Sequence, residues 1–215
     1  MKTAEKQSYS ALKNALKCVL VLGVITVVCV ALLAIANKFM KVEITLDKAT
    51  ARIINQMVPT GADDDEAFNE GYIKLVDLSK GGYNYKSVDD YNKRGSNKKV
   101  RALYTSTDKN SGKVSYIVEA EAKGRDAAIV MLVAYDEEKK IVKVHVKSQA
   151  ESYWDRIAAQ KGLLDEFIGL SGTINSEQIA TKTGATSSLG GIVGAVNTAN
   201  DFIARLEVSS PVEGE

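Results

Sequence analysis

Residues 100–147 read VRALYTSTDKNSGKVSYIVEAEAKGRDAAIVMLVAYDEEKKIVKVHVK, and this run decides the fold class. Val100–Ser106, Lys113–Ala122, Ala127–Tyr135 and Lys140–Lys147 are rich in β-branched and aromatic residues and are separated by Asn, Gly and Asp clusters, which predicts four successive strands. Asp136–Lys139 supplies the turn before the last of them. In that strand Val142, Val144 and Val146 alternate with Lys143, His145 and Lys147, so one face points inward and the other toward water. His145, the chain's one histidine, falls on the polar face. No serine or cysteine nucleophile accompanies it in any local motif, so it reads as solvated and not catalytic.

Outward from the strands, both flanks read as helical. Residues 44–58 (ITLDKATARIINQMV) place Ile44, Ala51, Ile54, Met57 and Val58 at mostly helical spacing, and Pro59 with Gly61 ends the pattern. The acidic stretch Ala62–Glu66 lacks the alternating ligands and turn glycine of a calcium loop and reads as a solvated loop. Residues 80–99 have little periodicity and read as a long loop or irregular hairpin, with Tyr83, Tyr85 and Tyr91 on its surface. Ser152–Leu170 fits short helices or a helix and a loop, and residues 171–186 are polar and turn-like. Then Leu189, Ile192, Val193, Val196, Ala199 and Ile203 define one face of a final helix.

Near the N-terminus, Cys18–Ala36 (CVLVLGVITVVCVALLAIA) carries no charge and predicts a transmembrane helix. Lys2, Lys6, Lys13 and Lys17 precede it against Glu5 alone, which places the N-terminus in the cytoplasm and the rest on the extracytoplasmic side of the cell membrane. Ala34 and Ala36 also supply the small-x-small pattern of a cleavage site, the competing reading. The expected fold class is α+β: a single N-terminal transmembrane helix followed by one domain with an antiparallel sheet flanked by helices. Its divisions are an N-terminal segment at 1–17, the span at 18–36, a juxtamembrane helix and loop region at 37–99, the domain core at 100–208 and a tail at 209–215.

Composition narrows the chemistry. Lys plus Arg is 28 and Asp plus Glu is 27, a net charge of +1, so no basic excess draws the chain to nucleic acid. One histidine and two cysteines, Cys18 and Cys29, argue against a zinc site, an all-cysteine iron–sulfur cluster, a cysteine protease or a disulfide framework. Redox chemistry here would need an organic cofactor. The stretch most able to seat one is Thr183-Gly184-Ala185-Thr186-Ser187-Ser188, directly before the final helix. Its small residues allow close approach, its hydroxyls offer hydrogen bonds, and the amides of a helix start favour an anion such as phosphate. An ordinary Thr/Ser cap after a turn accounts for the same residues.

This stretch resembles the S/T-G-A-T motif of the FMN-binding domain family, which is found in the RnfG component of the Rnf complex and in the related flavin-bearing component of the sodium-pumping NADH:quinone oxidoreductase. Ile192-Val193 with Ala195-Val196-Asn197 and Ala199 is similar to the apolar helix that follows the motif. Val58-Pro59-Thr60-Gly61-Ala62-Asp63 resembles the family's turn after the juxtamembrane helix, and Ala122-Lys123-Gly124-Arg125 through Val133-Ala134-Tyr135-Asp136 its glycine turn and next strand. Two stretches depart from the pattern. Ala180 stands where the family carries an aspartate, and Ser148–Trp154 replaces a His-x-Glu-Thr-Pro-Gly-Leu-Gly segment, of which Glu151 and Ser152 keep the chemical type.

The resemblance implies FMN joined through its phosphate to the hydroxyl oxygen of Thr186, with Thr183, Gly184, Ala185, Ser187 and Ser188 around the phosphate. Glu151 would contact the flavin, with Tyr153 or Trp154 against the ring. It implies an electron carrier, the RnfG component of an Rnf-type ferredoxin:NAD⁺ oxidoreductase, one part of an ion-translocating complex and not catalytic alone. Expected partners are the membrane, the integral membrane and iron–sulfur subunits, and a flavin transferase during maturation. The alternatives are the flavin-bearing component of a sodium-pumping quinone reductase, a stand-alone extracytoplasmic flavin carrier, and a structural member of such a complex that has lost FMN.

Overall fold

The computed structural model describes residues 17, 19–32, 45–93, 96–179 and 186–207. The chain divides into two compact units, Met1–Glu43 and Ile44–Glu215.

In the first unit, residues 19–32 form a helix, α1, with its apolar side chains exposed. Here the expected transmembrane span is corrected: no helix among the described residues is long and apolar enough to cross a membrane. At 1.5 Å rise per residue, the described residues 19–32 cover about 21 Å, short of a hydrocarbon core of about 30 Å. The remainder of the expected span, Cys18 and residues 33–36, lies outside the described residues.

The second unit is α+β. Its strands are β1 (Ile73–Leu75), β2 (Lys98–Thr107), β3 (Val114–Lys123), β4 (Ala128–Tyr135) and β5 (Ile141–Ser148). They form one antiparallel meander in sequence order, β1 and β5 at its edges. The helices are α2 (Lys48–Met57), α3 (Asp64–Asn69), α4 (Val88–Tyr91), α5 (Trp154–Ala158) and α6 (Thr186–Arg205), with 3-10 turns at Leu163–Phe167 and Ser176–Gln178.

Helices cover both faces of the sheet. Against one face α6 sets Leu189, Ile192, Val193, Val196, Ala199 and Phe202 on Val100, Leu103, Val118, Ala120, Met131 and Val133. Against the other, Ala51 and Ile54 of α2 and Ala67 of α3 pack with Ala102, Tyr104, Ile117, Leu132 and Ala134. β4 therefore has no wet face, which is why AIVMLVAY is apolar throughout. Asp47 caps α2, its carboxylate accepting the Thr50 N–H at 2.7 Å. Asp63 does the same for α3 through the Glu66 N–H at 2.8 Å, so the acidic stretch expected to be a loop is the first turn of a helix. Carboxylates favour that position because it faces the positive end of the helix dipole.

The alternation in β5 breaks at a bulge. Ala134 stands opposite Lys143 and Tyr135 opposite Ile141, which leaves Val142 as an extra residue. Val142 then packs on the α2 side while Val144 is buried on the α6 side. His145 stands opposite Leu132, on the α2 side, and is half-buried instead of solvated. That burial pushes its imidazole below the ordinary pKa.

Two more bulges aim cations at one buried carboxylate. Arg101 is the extra residue in β2 and Lys147 the extra residue in β5. Glu119 is 2% exposed. It accepts from the Tyr104 hydroxyl at 2.8 Å and Lys147 Nζ at 2.7 Å, and Arg101 Nε lies 3.4 Å away. The tyrosines of residues 80–99 are not surface decoration either. Tyr85 stacks on Phe202 with ring centroids 5.9 Å apart, and the Tyr91 hydroxyl donates to Asp201 at 2.7 Å.

Candidate functional site at the start of α6

α6 is a 20-residue helix whose first residue is Thr186. Thr186 and Ser187 are exposed, whereas Ser188 is buried. Thr183, Gly184 and Ala185, together with Ala180, lie outside the described residues.

Glycines let the helix settle close to the end of the β3–β4 hairpin. A Cβ on Gly191 would stand 2.7 Å from the Gly124 Cα, and one on Gly194 would stand 3.1 Å from the Ala122 Cβ. The hairpin closes through the Gly124 N–H and the Ala127 carbonyl at 2.8 Å, which leaves the next three amides turned to one point.

Glu151 occupies that point. One carboxylate oxygen accepts the Asp126 and Ala127 N–H groups, each at 3.0 Å, and the other accepts the Arg125 N–H at 3.0 Å. The second oxygen also accepts the Ser188 hydroxyl. Burial alone would raise the Glu151 carboxyl, but the hydrogen bonds from Ala127, Ser188, Asp126 and Arg125 outweigh it and hold it at about 2. A carboxylate has about four acceptor positions, and these are filled from within the chain. There is no room to spare: a Cβ on Gly124 would meet Glu151 Oε1 at 2.5 Å.

Neighbouring contacts continue the arrangement. Asp126 accepts the Ser152 N–H at 2.9 Å, and this backbone hydrogen bond leads in holding its carboxyl below the usual range. The guanidinium groups of Arg125 and Arg156 lie over the Tyr153 ring at 4.4 and 4.7 Å from its centroid. Trp154 packs against the core on the α6 side and borders a cleft of about 410 Å³ along β5.

The structure thus brings together Glu151, Ser188 and the Gly124–Arg125 turn, three segments far apart in the chain, and turns Thr186 and Ser187 outward beside them. Sequence reasoning missed the turn amides and the guanidinium pair over Tyr153. No local pattern links residue 125 to 151 or 151 to 188, so only the fold reveals them.

Chemically, the described start of α6 offers two exposed hydroxyls, those of Thr186 and Ser187. That donor set fits a phosphate group. No protein-family model matches the chain, and no curated protein matches it.

Proposed function

We propose that this protein is an electron carrier bearing FMN on the Thr186 hydroxyl oxygen, acting as the RnfG component of an Rnf-type ferredoxin:NAD⁺ oxidoreductase on the extracytoplasmic side of a membrane. The observation that supports it most directly is the contrast among three consecutive hydroxyls: Ser188 is turned inward to Glu151, while Thr186 stands exposed at the first residue of α6. A phosphoester needs an accessible oxygen, and the Thr186 hydroxyl belongs to an exposed residue.

In this reading Thr186 carries the cofactor, and the exposed Ser187 hydroxyl holds the phosphate. Thr183, Gly184 and Ala185 complete the surround. Glu151 is a positioning residue: by fixing Ser188 and the hairpin amides it sets where α6 begins. The flavin, when bound, accepts electrons in pairs and releases them singly, while the protein contributes placement and polarity. Integral membrane and iron–sulfur subunits would be its electron partners, and a flavin transferase would install the group.

The test is mass spectrometry of the peptide containing Thr186 after co-expression with a flavin transferase. An FMN adduct on wild-type protein, absent from Thr186→Ala, is the expected result. An unmodified peptide in both would overturn the assignment. Proteins that co-purify then separate the Rnf reading, which expects ferredoxin-linked iron–sulfur proteins, from a quinone-reducing assembly.

A further inference from the structure

β5 is an edge strand, and among the described residues backbone hydrogen bonds cover its beginning. The Ile141 N–H donates to the Leu170 carbonyl at 3.0 Å and the Ile141 carbonyl accepts the Gly169 N–H at 2.7 Å. From Lys143 onward the edge borders the cleft of about 410 Å³, which lies within the range of small-molecule sites. Val144 and Val146 stand opposite Val133 and Met131, so their side chains face the α6 side, where the half-buried Trp154 also packs.

The charge around this apolar and aromatic space is one-sided. Lys143 Nζ is 3.3 Å from Asp165 Oδ1, so those two charges offset each other. Lys161 is exposed on the lining and has no ion-pair partner among the described residues. His145 adds no charge, because its side chain belongs to the opposite face and its burial favours the neutral imidazole.

We propose that this cleft binds a planar aromatic anion, a ring bearing a carboxylate or phenolate, with the ring against the half-buried Trp154 and Val146 and the charge directed to Lys161. The shape could also suggest an added peptide strand, but β5 is bulged at Val142 and Lys147 and carries lysines along its length. Those features oppose strand pairing. The site is independent of flavin attachment at Thr186.

Trp154 is the chain's one tryptophan, so its fluorescence reports on the cleft directly. Full-length protein is titrated with 4-nitrobenzoate, with the neutral 4-nitrobenzamide, and with the cationic 4-nitrobenzylammonium. Saturable quenching by the benzoate is expected, with the amide about fivefold weaker and the cation weaker still, as an exposed ion pair of about 1 kcal/mol would give. Lys161→Gln should remove the preference for the benzoate without altering amide binding, and Lys161→Arg should keep it. Non-saturating quenching, equal binding of anion and cation, or an unchanged preference in Lys161→Gln would overturn the proposal. So would saturable capture of an extended acidic peptide without any of the benzoate. No flavin enters this titration, so its failure and that of the flavin assignment are separately visible.

Discussion

Glu151→Gln tests whether the start of α6 is held by one buried carboxylate. The substitution keeps size and shape but replaces one acceptor oxygen with an NH₂ group. In the wild type the two oxygens take four donors between them, three backbone amides and the Ser188 hydroxyl, at a residue 7% exposed. After the change the NH₂ group settles on the side of Arg125 and Ser188, where the hydroxyl turns to accept from it and the Arg125 N–H is left facing a donor. With about 1–3 kcal/mol for a buried group left without a partner, the loss is about 1–3 kcal/mol. A second route gives a similar size. The carboxyl is held at about 2 against an ordinary value of 4.5, a depression worth about 3 kcal/mol by linkage.

The sign of the pH dependence follows from the depression. A carboxylate whose folded pKa lies below its unfolded one contributes its full stability above the unfolded value, here 4.5, and loses it as the pH falls through about 2. Urea melts of wild type and Glu151→Gln between pH 7 and pH 2.5 read this directly. At pH 7 the variant should be about 3 kcal/mol less stable, a shift of about 6–12 °C in Tm for a unit of this size. The gap should narrow steadily below pH 4.5. A gap that stays constant from about pH 7 to about pH 3, or one under about 0.5 kcal/mol at neutral pH, would refute the clamp.

The remaining expectations follow from neighbouring contacts. Gly191→Ala sets a methyl 2.7 Å from the Gly124 Cα, a backbone atom that cannot swing aside, so it should cost about 1–3 kcal/mol in a denaturant melt. Lys147→Met leaves the buried Glu119 with only Tyr104 and the more distant Arg101, and should cost about 2–3 kcal/mol; adding Glu119→Gln should recover part of it, measured as a double-mutant cycle. Asp47→Ala removes the cap on α2 and should cost about 1 kcal/mol by thermal melting. Thr186→Ala, at an exposed first helical residue, should leave stability within about 1 kcal/mol of wild type while abolishing any flavin adduct.

The parts of the fold legible in the sequence are those where a local pattern and a buried face coincide. The apolar run of β4 and the periodic stripe of α6 both match the structure, because each pattern is repeated over enough residues to outweigh local exceptions. β1 escaped notice because three residues carry no period, and α3 because its acidic first turn resembles a loop until its cap is considered. In β5 the valines alternate perfectly, yet one inserted residue sends Val142 and Val144 to opposite faces. A bulge is set by the partner strand's register, which the strand's own sequence does not contain.

The same distinction separates what can and cannot be read at the candidate site. The hydroxyl run at 186–188 is visible in one dimension, and local chemistry treats its three members alike. What makes them differ is Glu151, anchored by a turn 24 to 26 residues before it and closed on Ser188, 37 residues after it. Because Ser188 is committed to that carboxylate, helical spacing carries Ser187 and Thr186 round to the exposed side of the first turn. In the proposed function, the accessibility of Thr186 as acceptor is then tied to a structural contact and not to the motif alone. Any substitution that releases Ser188 from residue 151 should make the three hydroxyls less distinct, so in Glu151→Ala an adduct on the α6 start should lose its confinement to Thr186. A tandem mass spectrum that still places all flavin on Thr186 in that variant would show that selection resides in the transferase and not in this fold.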